Sequence, residues 1–157
     1  MSKLIFSKNY IFTYVVLIIA ILLTQFSSID IEVIDWDEST FFLISKYISN
    51  GDMLYSDYWD GKPPLIFFYL GILFKIFGAS LLVGRLAGDF LICLIVMITF
   101  KIILEKYNYL IAIGSSAFLI FIFSYTPFQP TMTEHLGILF ILISFKLALS
   151  PSVSKYL

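Results

Sequence analysis

Four long, nearly charge-free apolar stretches, at 9–29, 85–104, 109–128 and 135–150, dominate the chain. Each runs for about 16–21 residues, close to the ~20 that a helix rising 1.5 Å per residue needs to cross a bilayer's hydrocarbon. The pattern predicts four spans. A fifth apolar stretch, 64–77, is shorter, carries Lys75, opens on Pro63-Pro64 and stops at Gly78, which suits a helix lying in the interface. Extended through Leu81, Leu82 and Val83, it becomes long enough to cross. Between the first span and this stretch, Phe41, Phe42, Ile44, Tyr47 and Ile48 recur near a helical period. They predict a short juxtamembrane helix over 38–49, closed by the turn chemistry of Asn50-Gly51-Asp52. Residues 55–62 read as an acidic, aromatic linker.

Composition supports a lipid environment. The 157 residues are 60% hydrophobic and 13% charged, against roughly one quarter charged in an average soluble domain. Cys93 is the only cysteine, which rules out an intrachain disulfide or a cysteine metal cluster and reads as a small hydrophobe. The net charge of -1 carries no footprint for nucleic acid. Lys3 and Lys8 before the first apolar stretch could open a signal peptide, but the stretch is long enough to span and weak in cleavage signals, so it reads as a retained helix. Charge placement decides the topology. With 64–77 in the interface, Lys3, Lys8, Lys101, Lys106, Lys146 and Lys155 all fall on the cytoplasmic side. The expectation is an all-α, multi-pass cell-membrane protein whose long loop, 30–84, faces the non-cytoplasmic side together with Glu134.

The candidate chemistry lies in that loop. Asp35 and Glu38 have capping-box spacing, so local structure alone accounts for two acids of Asp35-Trp36-Asp37-Glu38. Asp37 remains, a carboxylate at a membrane surface suited to taking a hydroxyl proton. Lys62, preceded by Asp60, and Arg85 form a pair of external cations. They read either as snorkelling anchors or as a site for a lipid phosphate. Asp89, one turn after Arg85, is placed to pair with it. Glu134 and His135 open the last span, where an acid suits the helix dipole and where spacing alone specifies no metal.

Taken in order, Asp35-Trp36-Asp37-Glu38, Asn50-Gly51-Asp52, Tyr55-x-Asp57-x-Trp59, Lys62-Pro63-Pro64-Leu65, Gly78, Arg85-Leu86 and Thr133-Glu134 resemble the N-terminal part of the GT-C membrane glycosyltransferases. The likeness is to bacterial relatives of protein O-mannosyltransferases and lipid A aminoarabinose transferases. The resemblance implies GT-C-type transmembrane helices with juxtamembrane helices in the first external loop. It also implies an acidic pair, Asp37 and Glu38, with Asp37 as base, Lys62 and Arg85 near the donor phosphate, and Glu134 close to the active site.

The implied reaction transfers a sugar from a polyprenyl-phosphate donor to a hydroxyl of a glycan, lipid or protein acceptor at the external face. A divalent metal is left open: where the aminoarabinose-transferase pattern has an acid directly before the lysine, this chain has Gly61, with Asp60 one position earlier. Family members usually carry more spans, so the resemblance covers an N-terminal part whose acceptor-selecting region lies elsewhere. The alternative is a non-catalytic, small polytopic protein that binds lipid phosphate or a partner subunit.

Overall fold

A computed structural model describes residues 10–29, 31, 35–125 and 131–149, and every regular element among them is helical. The order is α1 Ile11–Gln25, a short 3-10 turn Phe26–Ser28, α2 Trp36–Asn50, α3 Leu65–Phe77, α4 Leu81–Lys106, α5 Tyr109–Tyr125 and α6 Thr133–Ala148. Lys3, Lys8 and Lys155, with the expected span ends at 9, 126–128 and 150, lie outside the described residues.

Local chemistry sets the boundaries. Asp35 caps α2 by accepting the Asp37 N–H at 2.7 Å, and Gly51 stops it in the left-handed region at φ 113°. The expected capping box does not form: Asp35 takes the Asp37 amide and not that of Glu38, and Glu38 turns to a partner on α4 instead of back to the cap. Gly78, at φ 88°, ends α3, and Ser80 begins α4 by accepting the Val83 N–H at 3.2 Å. The break falls between Phe77 and Leu81, so Leu81, Leu82 and Val83 lengthen α4 at its start and do not extend α3. The helix over the second expected span is therefore longer than its 85–104 window, and α3 stays short.

Helix α4 is the axis of the fold and touches α1, α3, α5 and α6, while α2 packs along α3. Contacts at the two ends fix the direction of each helix. At one end the Arg85 guanidinium reaches the carbonyls of Ser28 and Ile29, and the Thr131 hydroxyl donates to the Gly84 carbonyl at 2.9 Å. At the other, Thr13 and Tyr109 share a 3.0 Å hydrogen bond, Tyr10 and Tyr14 pack against Phe100, and Lys146 pairs with Glu105. The chain from Ile29 to Gly84 thus leaves the first end and returns to it, with no net crossing.

The α2–α3 pair is held by edge-to-face contacts of Phe41 with Phe67 and Phe42 with Phe74, at 5.6 and 5.9 Å. Phe42 also lies over Gly84, where a Cβ would come within 2.3 Å of its ring. Absence of a side chain at Gly84 therefore lets α2 approach α4.

Outward faces are apolar. Phe12, Leu23, Phe118, Phe140 and Ile141 are exposed, and only His135, Leu136 and Leu139 of α6 are buried. Among the described residues, only α4 is both long and apolar enough to cross a membrane by length and composition. Helices α1, α3 and α5 are apolar but shorter. Against four expected spans this is a smaller number: α1 closes into a 3-10 turn after Gln25, and α5 and α6 as described run to 17 and 16 residues.

Candidate functional site

The first turn of α2 carries Asp37 and Glu38 about 100° apart around the helix, and they meet different surroundings. Asp37 lies on the rim, its Oδ2 3.0 Å from the Lys62 Nζ, with both side chains partly exposed. The Lys62 ammonium also stands 6.0 Å from the centre of the Phe41 ring, one turn further along α2. The hydrogen bond that Lys62 donates to Asp37, with the charges of Asp37, Glu134 and Asp60, outweighs the opposing effect of burial and raises Lys62 above the ordinary 10.5.

Glu38 points inward. Its Oε2 lies 3.3 Å from Arg85 Nη2, with the Glu38 and Arg85 side chains 2% and 0% exposed. Burial pushes the Glu38 carboxyl above its ordinary 4.5, and the Arg85 charge and hydrogen bond offset this only in part. Among the described residues, Glu38 Oε1 and Arg85 Nε have no partner. The pair therefore ties α2 to α4, and through the Ser28 and Ile29 carbonyls to the end of α1, and it is closed to a ligand.

Two sequence expectations change here. Arg85 does not stand beside Lys62 as a second open cation, and it does not pair with Asp89. A helical side chain leans toward the N-terminus of its helix, which carries the guanidinium up to Ser28, Ile29 and Glu38 and away from the residue one turn below. Asp89 is buried instead, with Oδ1 unpartnered among the described residues.

A self-bonded loop presents Lys62. The Asp57 carboxylate accepts the Met53 N–H at 2.8 Å, the Tyr55 hydroxyl donates to the Lys62 carbonyl at 2.8 Å, and Asp60 Oδ1 accepts the Lys62 N–H at 2.8 Å. Tyr47 and Tyr58 stack at 4.6 Å. The segment read as an irregular linker is a built turn, and Asp60 supports Lys62 through its backbone. Trp36 and Trp59 stand exposed, the first one position before Asp37 and the second three before Lys62.

Glu134 is exposed at the start of α6, accepting from the Thr133 hydroxyl at 3.0 Å, and its charge is felt at Lys62. His135 is buried, accepts the Met132 N–H on Nδ1 at 3.3 Å and meets the edge of Phe123. It shapes the helix entrance. Among the described residues no three His, Cys, Asp or Glu side chains gather as a cation site. Asp60, the acid nearest Lys62 in the loop, is committed to the Lys62 amide.

Phe41 and Thr131 were not singled out from the sequence. Phe41 had a signal, since it follows Asp37 by four positions on a helix and so shares its face. Thr131, which ties the entrance of α6 to Gly84, had none. Compared with protein-family models, curated proteins and solved structures, the chain finds no match.

Proposed function

We propose that the chain belongs to a multi-pass cell-membrane protein that transfers a sugar from a polyprenyl-phosphate donor to an acceptor hydroxyl at the non-cytoplasmic face. The observation that carries this reading is the Asp37–Lys62 pair: a carboxylate and an ammonium 3.0 Å apart on an accessible rim. A buried ion pair beneath braces them, and exposed tryptophans precede each of the two residues in the loop. The apolar outer faces of α1, α5 and α6 suit lipid, the exposed Trp36 and Trp59 suit the interface, and Lys101, Lys106 and Lys146 at the opposite end suit the cytoplasmic side.

In this reading the donor phosphate takes the Lys62 ammonium, which releases Asp37. The Asp37 carboxylate accepts the proton of the acceptor hydroxyl while that oxygen bonds to the anomeric carbon. The bond from that carbon to the phosphate oxygen breaks, and its electron pair leaves on the phosphate, where Lys62 balances the charge. A single displacement of this kind inverts the anomeric centre. Glu38 and Arg85 act as positioning residues, and Glu134 sets the charge around Lys62.

Asp37→Asn in the full-length protein is expected to lower sugar transfer by about 100-fold or more, the usual contribution of a positioned base, with membrane insertion intact. Retained transfer would sink the base assignment. The non-catalytic alternative draws on the same pair, since Asp37 is already neutralised and Arg85 is enclosed. It is favoured if the wild-type protein binds undecaprenyl phosphate yet transfers no sugar with any acceptor hydroxyl.

A further inference from the structure

On the opposite side of α2 from Asp37 lies a second cleft, where α2, the end of α3 and the first turn of α4 meet. It encloses about 430 Å³, with Phe42, Leu43, Phe74 and Leu81 among its apolar lining and Lys46 and Ser80 among its polar lining. Lys46 follows Asp37 by nine positions, which puts it half a turn out of phase and about 14 Å along the axis. No carboxylate among the described residues pairs with Lys46, whereas Lys62 and Arg85 each have one. The Ser80 Oγ accepts the Val83 N–H, which leaves its proton to donate. The amides of Leu81 and Leu82 open α4 at positions that have no acceptor within the helix. The Lys46 ammonium, the Ser80 hydroxyl and the Leu81 amide can thus donate to an anion, while the Ser39 hydroxyl, also on this lining, donates to the Asp35 carbonyl, and the remaining walls are apolar.

We infer that this cleft holds the phosphate and upper acyl segments of an anionic glycerophospholipid, with Lys46 on the phosphodiester. Charge complementarity sets the occupant's head and the apolar lining its tail. Among the described residues no acid lines the cleft to act as a base, which separates it from the Asp37–Lys62 rim. The inference rests on the membrane placement proposed above and is independent of sugar transfer. Such a lipid would wedge the α2–α3 hairpin against α4 and hold the hairpin at headgroup level.

The test uses full-length protein purified in detergent and native mass spectrometry with phosphatidylglycerol, phosphatidylcholine of the same chains, and diacylglycerol. Phosphatidylglycerol is expected to bind best, and Lys46→Gln to weaken it about fivefold, the factor one basic residue supplies near an anionic headgroup. Lys106→Gln, at the far end of α4, is expected to leave binding unchanged. Lys46 is exposed, so the substitution leaves the core intact, and circular dichroism checks this. Wild-type affinity in Lys46→Gln, or equal losses in both variants, overturns the assignment. Undecaprenyl phosphate displacing phosphatidylglycerol in a Lys46-dependent way hands the cleft to the donor and also overturns it. A membrane-bound protein with no preference for phosphatidylglycerol removes this inference alone, and a protein absent from the membrane fraction removes the membrane placement with it.

Discussion

Asp37 and Glu38 stand side by side on α2, and the difference between them is one of direction. A step of about 100° around the helix sends one carboxylate to the rim and the other into the core. Lys62 reports the rim electrostatically. Its pKa is raised in the folded state, so the Asp37–Lys62 pair contributes stability that is fully present below 10.5 and is lost as pH rises through the higher folded value. For a half-exposed pair this amounts to about 1 kcal/mol or less. Urea unfolding of wild type and Lys62→Gln, followed from about pH 8 to about pH 12, is expected to show a small gap that closes at the alkaline end. A gap that does not change with pH would mean that the pair does not hold the loop. The acids were legible in the sequence as a cluster and Asp35 as a cap. The partner of Glu38 was not, because it lies 47 positions away on another helix.

At the scale of elements, the approach of α2 to α4 depends on a glycine meeting a ring. A Cβ at Gly84 would lie 2.3–2.8 Å from three atoms of the Phe42 ring, which is itself buried against Phe74. Gly84→Ala gains roughly 1 kcal/mol of helix propensity and meets an overpacking cost of about 1–3 kcal/mol. A net loss of thermal stability is expected, relieved in the Gly84→Ala, Phe42→Leu double variant, since contacting sites do not add. A Gly84→Ala protein as stable as wild type would rule out this contact. The helices themselves were readable from apolar runs and caps: α2 and α3 form near 38–49 and 64–77. The start of α4 was not, because the hydrophobic pattern runs on through Leu81–Val83 and only the backbone at Gly78 and the Ser80 cap place the break.

Across the whole molecule, the contacts at the two ends of the bundle place Asp57 with the α2–α3 end and Tyr107 beyond the last turn of α4 at the other. In a Cys93→Ala background, a cysteine at Asp57 is expected to react with a membrane-impermeant maleimide on intact cells. One at Tyr107 is expected to react only after permeabilisation. Labelling of both from the same side would break the proposed topology. Cys93 is buried and so offers little reactivity of its own, and its replacement removes what remains.

By itself the sequence determined that the chain is helical, roughly where its helices lie, and that its acids and aromatics concentrate between the first helix and α4. These follow from local periodicity, capping and composition, which act within a few residues. Tertiary structure alone decided the rest. It enclosed Arg85 with Glu38 instead of opening it beside Lys62, left Asp89 without its expected partner, and set Lys46 over a cleft behind the rim. Each of those outcomes turns on which way a side chain points when distant helices meet, and spacing along a chain carries no record of that direction. The acidic loop is legible as a site in one dimension. Its division into an accessible Asp37–Lys62 rim and a buried Glu38–Arg85 brace exists only in three.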